Sequence, residues 1–200
     1  ARMACNDRRG LALSWKERKP QLRDATAALH FDRHYVYHMA WAARILNELQ
    51  PRSHVDVSSH LDFCVTVSAF VPIVHYEYRP PAISLPGLEC REGDLCALPP
   101  DSGSLESVSC MHVVEHIGLG RYGDSLAADG DVRAVRELQR IVAPGGSLLL
   151  VVPVGRPRIQ FNAHRIYGFE HIDTLFDSGW TARQFALVPD DPDAGLLVDA

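Results

Sequence analysis

Apolar residues recur along this chain first with a helical period, then in short dense runs. Between Pro20 and Gln50, residues Leu29, Tyr35, Met39, Ala42, Ala43, Leu46 and Leu49 fall near a spacing of 3.6. That predicts a helix over HYVYHMAWAARILNEL, with Asp32 as its N-cap and Pro51 ending it. Beyond Pro51 the apolar runs shorten. HVDV from His54, Ile73–Tyr78, Leu88–Cys90, Ser107–His112 and Ser147–Val154 read as five strands. Leu61–Phe70 and Asp131–Val142 read as helices between them, the second ended by a Pro144-Gly145-Gly146 turn. Residues 156–165 read as loop, YGFEHIDTLFDSGW as a last helix and FALVPDD as the start of a further strand. The last of the five strands is almost wholly apolar, which suits a sheet covered on both faces. Alternating strands and helices of this kind predict an α/β, doubly wound, mostly parallel sheet with an N-terminal helical appendage. The expected division is residues 1–50 for the appendage and 51–200 for the α/β domain.

Composition narrows the function classes. Two hundred residues, 46% hydrophobic and 22% charged, can bury a full core. A net charge of −5 argues against a basic face for nucleic-acid backbones. No apolar run is long enough to span a membrane, and no leader stands at the N-terminus, so a cytoplasmic protein is expected. Cys5, Cys64, Cys90, Cys96 and Cys110 are odd in number and lack a CxxC pair, which predicts free thiols. The polar, basic residues 1–19 read as a tail.

Candidate chemistry collects where strands end, because the crossover rule puts those loops on one edge of a parallel sheet. Asp56 and Ser58-Ser59-His60 follow the first strand, Glu77 closes the second and Asp94 follows the third. His112, Glu115 and His116 follow the fourth. A carboxylate at the second strand's tip can accept both hydroxyl hydrogens of a ribose, and one after the third can accept from an exocyclic amine. Together they describe a nucleoside site.

GDLCALPPDSGSLESVSCMHVVEHIG followed by ELQRIVAPGGSLLLVVPVG resembles the class I S-adenosylmethionine-dependent methyltransferases, over roughly residues 55–155. SAFVP, HVVEHIGLGRYGD and VPVG with FNAHRIYG extend the resemblance, from about residue 35 to 180, to the methyltransferase-like DUF268 family. The resemblance implies a Rossmann-like methyltransferase fold and S-adenosylmethionine as cofactor. It implies cofactor contacts from Asp56, Ser58, Ser59 and His60, a ribose acid in Glu77, and an adenine-contacting pair in Asp94 and Leu95. It implies that Cys110 and Met111 lie beside the methionine moiety. One departure stands out: the loop after the first strand is glycine-rich in the family and reads VDVSSHLDF here.

His116 and His112, with Glu115, are the candidate catalytic residues, a histidine serving as general base toward a hydroxyl. His112, Glu115, His116 and His164 also have the donor types of a divalent-metal site, similar to the E-x-x-E-H pattern of small-RNA 2′-O-methyltransferases. The same Glu-His pair is common in metal-free methyltransferases, and no metal is expected. Arg121 and Tyr122 in the glycine-rich GLGRYGD, read as a flexible lid or substrate loop, and Asn162, His164 and Arg165 are the candidate substrate residues. The expected activity is O-methylation of a small-molecule or saccharide hydroxyl. Two alternatives stay open: a non-catalytic binding or scaffold domain with a degenerate cofactor loop, and a metal-dependent 2′-O-methyltransferase acting on nucleic-acid ends.

Overall fold

A computed structural model describes residues 15–27 and 29–199. The chain divides after Asp32 into two units. In the first, a 3-10 turn at Trp15–Glu17 is closed by Arg18, whose guanidinium donates to Trp15 O at 2.8 Å and lies 4.6 Å over the Trp15 ring.

The second unit begins with α1 (Arg33–Leu49). His38, Ala42 and Leu46 recur every four residues on one face of α1, and that stripe is buried. Ala42 and Leu46 pack with Phe63, Cys64 and Val67 of α2 (Leu61–Val67). So α1, the N-terminal helix, lies in the same unit as the sheet and helps to cover it.

The sheet is made of β1 (His54–Val57), β2 (Ile73–Glu77), β3 (Leu88–Glu92), β4 (Leu105–Met111) and β5 (Val142–Val151). Its order is β3-β2-β1-β4-β5 and every pairing is parallel. α3 (Gly130–Ile141) carries β4 back to β5, burying Ala134, Val135, Leu138 and Ile141. The two sides of each strand feed two cores. Val55, Val57, Val108 and Cys110 join the α3 side, while Ile73, Leu88, Met111 and Leu149 join the α1/α2 side.

Pro144-Gly145-Gly146 does not separate α3 from β5. Val142 already pairs with Leu105, and Ser147 pairs with Ser107, so two residues of β4 span five of β5. The surplus is absorbed as a bulge at the Pro-Gly-Gly, with Gly145 at φ 79°. Residues 156–165, expected to be loop, form most of a hairpin between β6 (Arg158–Gln160) and β7 (His164–Ile166). The last helix shrinks to α4 (Phe169–Thr174), and FALVPDD contributes β8 (Ala186–Leu187), paired antiparallel with β9 (Leu197–Val198). Among the described residues no helix is long and apolar enough to cross a membrane. Cys64, Cys90, Cys96 and Cys110 are free thiols, as expected, and Cys5 lies outside the described residues.

Candidate functional site

The parallel sheet brings the strand-end residues to one edge. Glu77 sits at the tip of β2, with Oε1 accepting from the Arg79 amide at 3.3 Å. Asp94 is exposed and folds the loop after β3 by accepting from the Cys96 amide at 2.8 Å. Its neighbour Leu95 is buried in the α3-side core.

The loop after β1 makes its turn without glycine. Ser58 adopts φ 55°, the left-handed region a glycine would enter freely. Its amide donates to Tyr76 O at 2.8 Å, which ties the turn to β2. Ser59 is buried, and its hydroxyl accepts from the Met111 amide at 3.0 Å, joining the ends of β1 and β4. The His60 imidazole caps α2 by accepting from the Asp62 amide at 3.3 Å. Cys110 and Met111 bury their side chains in opposite cores, so that segment presents backbone to the edge.

Asp56 does not face the edge. It is fully buried on the α1/α2 side, where His75 Nδ1 donates to Oδ1 at 2.9 Å, the Ser59 amide donates to Oδ1 at 3.1 Å and Ser109 donates to Oδ2. Burial alone would raise its pKa, but the bonds from His75, Ser109 and Ser59 hold the carboxyl below the usual range. His54 bridges Ser107 and Ser109 at 2.8 Å each, and burial lowers its pKa to about 4, so it is neutral.

The β4 end carries most of the titratable groups. His112 has φ 58°, and its Nδ1 lies 3.1 Å from Glu115 Oε1. Glu115 is buried, and its Oε2 has no hydrogen-bond partner among the described residues. His116 Nδ1 lies 2.6 Å from the Ala163 carbonyl. A carbonyl only accepts, so Nδ1 carries the proton and neutral His116 keeps its lone pair on Nε2. Burial lowers the His116 pKa; Glu115 and Ala163 oppose that, and Arg121 and His164 add to it. The Tyr122 and His164 rings stand edge-on to His116 at 5.8 and 6.1 Å. His112 and His116 thus both face Glu115, and His164 stands beside His116 through a ring contact.

Two residues whose helical spacing reads as core also stand here. Tyr35 and His38, from the first turns of α1, reach the β4 end: their rings lie 5.7 and 4.9 Å from that of His112, and Tyr35 lies 5.4 Å from His60. The aromatic density of HYVYH was the available signal, and core packing is its commoner meaning.

GLGRYGD is a built turn rather than a loose lid. Asp124 accepts from the amides of Gly118 at 2.7 Å, Gly120 at 3.2 Å and Tyr122 at 3.2 Å. Exposed Arg121 and half-exposed Tyr122 project from it, and Arg121 reaches the Ala163 carbonyl at 3.1 Å. Asn162, next to Ala163, is exposed in the β6–β7 turn. Arg165 is not open to a ligand. It is buried, and all five of its donors are committed: to the carbonyls of Glu115, Ile117, Ala127 and Ala128 and to the Asp131 carboxylate.

Comparison with known proteins agrees with this architecture. Residues 102–183 match the model of the family described as "Caenorhabditis protein of unknown function, DUF268". No curated protein matches. Among solved structures, the YcgJ protein of Bacillus subtilis is similar with a TM-score of 0.58 at 14% identity, over 76% of this chain and 73% of its own. A chain from the Haloferax volcanii complex of the Trm112 methyltransferase activator with a methyltransferase gives 0.57 at 18%, over 81% and 75%. A SAM-dependent methyltransferase of Thermotoga maritima gives 0.53 at 16%, over 83% and 86%. The fold is that of the class I SAM-dependent methyltransferases.

Proposed function

We propose, for a chain with the class I methyltransferase fold and a DUF268 match over residues 102–183, S-adenosylmethionine-dependent methyl transfer to a hydroxyl of a small molecule or saccharide. The observation that carries this reading is His116. It is fixed by Ala163 with Nε2 left as the basic nitrogen, on the same sheet edge as Glu77 and Asp94. Glu77 would hold the ribose diol and Asp94 an exocyclic amine. The residues present fit a cationic donor on one count: Glu115 Oε2 is a buried carboxylate oxygen without a partner among the described residues, which a positive group would satisfy. Bound S-adenosylmethionine supplies an electrophilic methyl group on a sulfonium.

His116 then takes the acceptor hydroxyl's proton at Nε2 as the oxygen becomes nucleophilic, and Glu115 Oε1, 3.8 Å away, steadies the imidazolium that forms. Tyr122 and Arg121 line the acceptor side, and the rings of Tyr35, His38 and His112 cover the other. Positioning supplies most of the rate, since methyl transfer is an in-line displacement. Ser59 favours a second reading, a non-catalytic binding domain. Its hydroxyl occupies the Met111 amide, a backbone donor at the end of β4 that a ligand would otherwise meet.

Calorimetric titration with S-adenosylhomocysteine separates the two. Binding in the micromolar range, weakened about tenfold or more in Glu77→Ala, is expected, on the order of one lost charge-assisted hydrogen bond. No binding at millimolar ligand rejects the enzyme and leaves the binding domain.

A further inference from the structure

Beneath the 58–60 turn lies a second cluster, away from the strand-end histidines. Strand register lines up Cys90, His75, Asp56 and Ser109 in one row across β3, β2, β1 and β4. Asp56, His75 and Ser109 of that row are buried, on the face covered by α2. From α2, Cys64 comes down onto the row, its Sγ 3.4 Å from His75 Nδ1. His75 Nδ1 is in turn 2.9 Å from Asp56 Oδ1, and the three donor atoms lie within 4.8 Å of one another. Each of the three is essentially inaccessible to solvent.

We propose that Asp56, Cys64 and His75 form a buried site for a thiolate-seeking divalent metal ion of the zinc class, joining α2 to β1 and β2 beneath the 58–60 turn. Three observations support it. Oxygen, nitrogen and sulfur donors from three separate elements converge, which is a zinc-like donor set. Ligands at metal–donor lengths of about 2.0 to 2.3 Å in tetrahedral geometry stand roughly 3.5 Å apart, so the present spacings need only small shifts. The carboxylate is oriented from outside, by the Ser59 amide and by Ser109, itself held by His54.

Charge gives a further argument. Asp56 is a buried carboxylate that meets an imidazole N–H at 2.9 Å and, among the described residues, no lysine or arginine. A dication with one carboxylate, one thiolate and a neutral imidazole sums to zero, the least costly state for a desolvated site. Binding releases one proton. The Cys64 S–H bond breaks as the metal–sulfur bond forms, and the proton leaves to buffer. The imidazole stays neutral, its N–H moving from Nδ1 to Nε2 as Nδ1 takes the metal. Without metal the buried thiol has its pKa pushed up, first by burial and then by Asp56, and stays protonated.

The test uses the full chain. Zn²⁺ titration by calorimetry in two buffers of different ionisation enthalpy is expected to give one ion and about one released proton per chain. Co²⁺ in its place is expected to show a thiolate-to-cobalt charge-transfer band. At a hundredfold excess of Zn²⁺ over its Kd the melting temperature is expected to rise by roughly 5–10 °C. Cys64→Ser should remove the band and weaken Zn²⁺ binding at least a hundredfold, while Cys96→Ser keeps both. A wild-type chain that takes up no stoichiometric Zn²⁺, or a Cys64→Ser chain that binds it as tightly as wild type, overturns the site. Should Cys64→Ser fail to fold, X-ray absorption on the wild-type zinc protein decides, and absence of a sulfur scatterer overturns the site. None of these readouts depends on S-adenosylmethionine.

Discussion

His116 shows how one side chain's surroundings set the conditions for its chemistry. The Ala163 carbonyl at 2.6 Å selects the tautomer, and burial with the nearby Arg121 guanidinium favours the neutral ring. A base whose pKa is lowered stays competent to more acidic pH. Turnover should therefore rise with pH through an apparent pKa below the ordinary imidazole value near 6.5, and be full at neutrality. A pH–rate profile checks this, and a limb above 7 would count against His116. His116→Ala is expected to spare S-adenosylhomocysteine affinity and lower kcat about a hundredfold or more, the usual range for a lost general base. The pattern HVVEH was legible as chemistry from its residue types. The partner that fixes the ring was not, because Ala163 contributes only a backbone carbonyl 47 residues away, and no side-chain pattern marks that.

At the scale of elements, the β6–β7 hairpin explains why Arg165 read as a substrate residue and is structural. An arginine among polar residues after an apolar strand fits an anion site. Here β7 turns its guanidinium inward instead, where it gathers the carbonyls at Glu115, Ile117, Ala127 and Ala128. Asp131 at the start of α3 completes the set and also accepts from Tyr167 Oη at 2.9 Å. One side chain thus ties the loop after β4, the approach to α3 and the hairpin that presents Ala163. The same junction is closed by backbone contact, since a Cβ at Gly118 would lie 2.2 Å from Ala127 O and one at Gly130 2.6 Å from Ile117 O. Arg165→Ala removes the cation from a buried pair and strands its acceptors. It should cost about 3–5 kcal/mol, a fall in melting temperature on the order of 6–20 °C by thermal unfolding. Arg165→Lys should recover little of this, since one ammonium cannot reproduce the planar fork. A shift within 2 °C for the alanine variant would leave the guanidinium without the anchoring role.

For the whole molecule, the five strands and the covered faces were legible because apolar runs and breaks at Pro51, Pro72 and Pro80 are local signals. What sits on which face was not. His54, Asp56 and His75 stand in strands that read as apolar, and they turn inward because hydrogen bonds across the register satisfy them. The expected boundary at residue 50 came from the element pattern, since a long amphipathic helix before the first strand resembles an add-on. Its apolar stripe, however, is matched to α2 and one sheet face, where Leu46 is fully buried beside Phe63, Cys64 and Val67. An add-on helix could be trimmed at small cost, whereas a layer of the core could not. Leu46→Ala deletes buried methyl groups and should destabilise by about 2–5 kcal/mol, measured by urea unfolding. Removing residues 1–50 strips α1 from α2 and that face and should abolish the cooperative transition. A chain lacking those residues that still unfolds sharply would show that the core does not need α1.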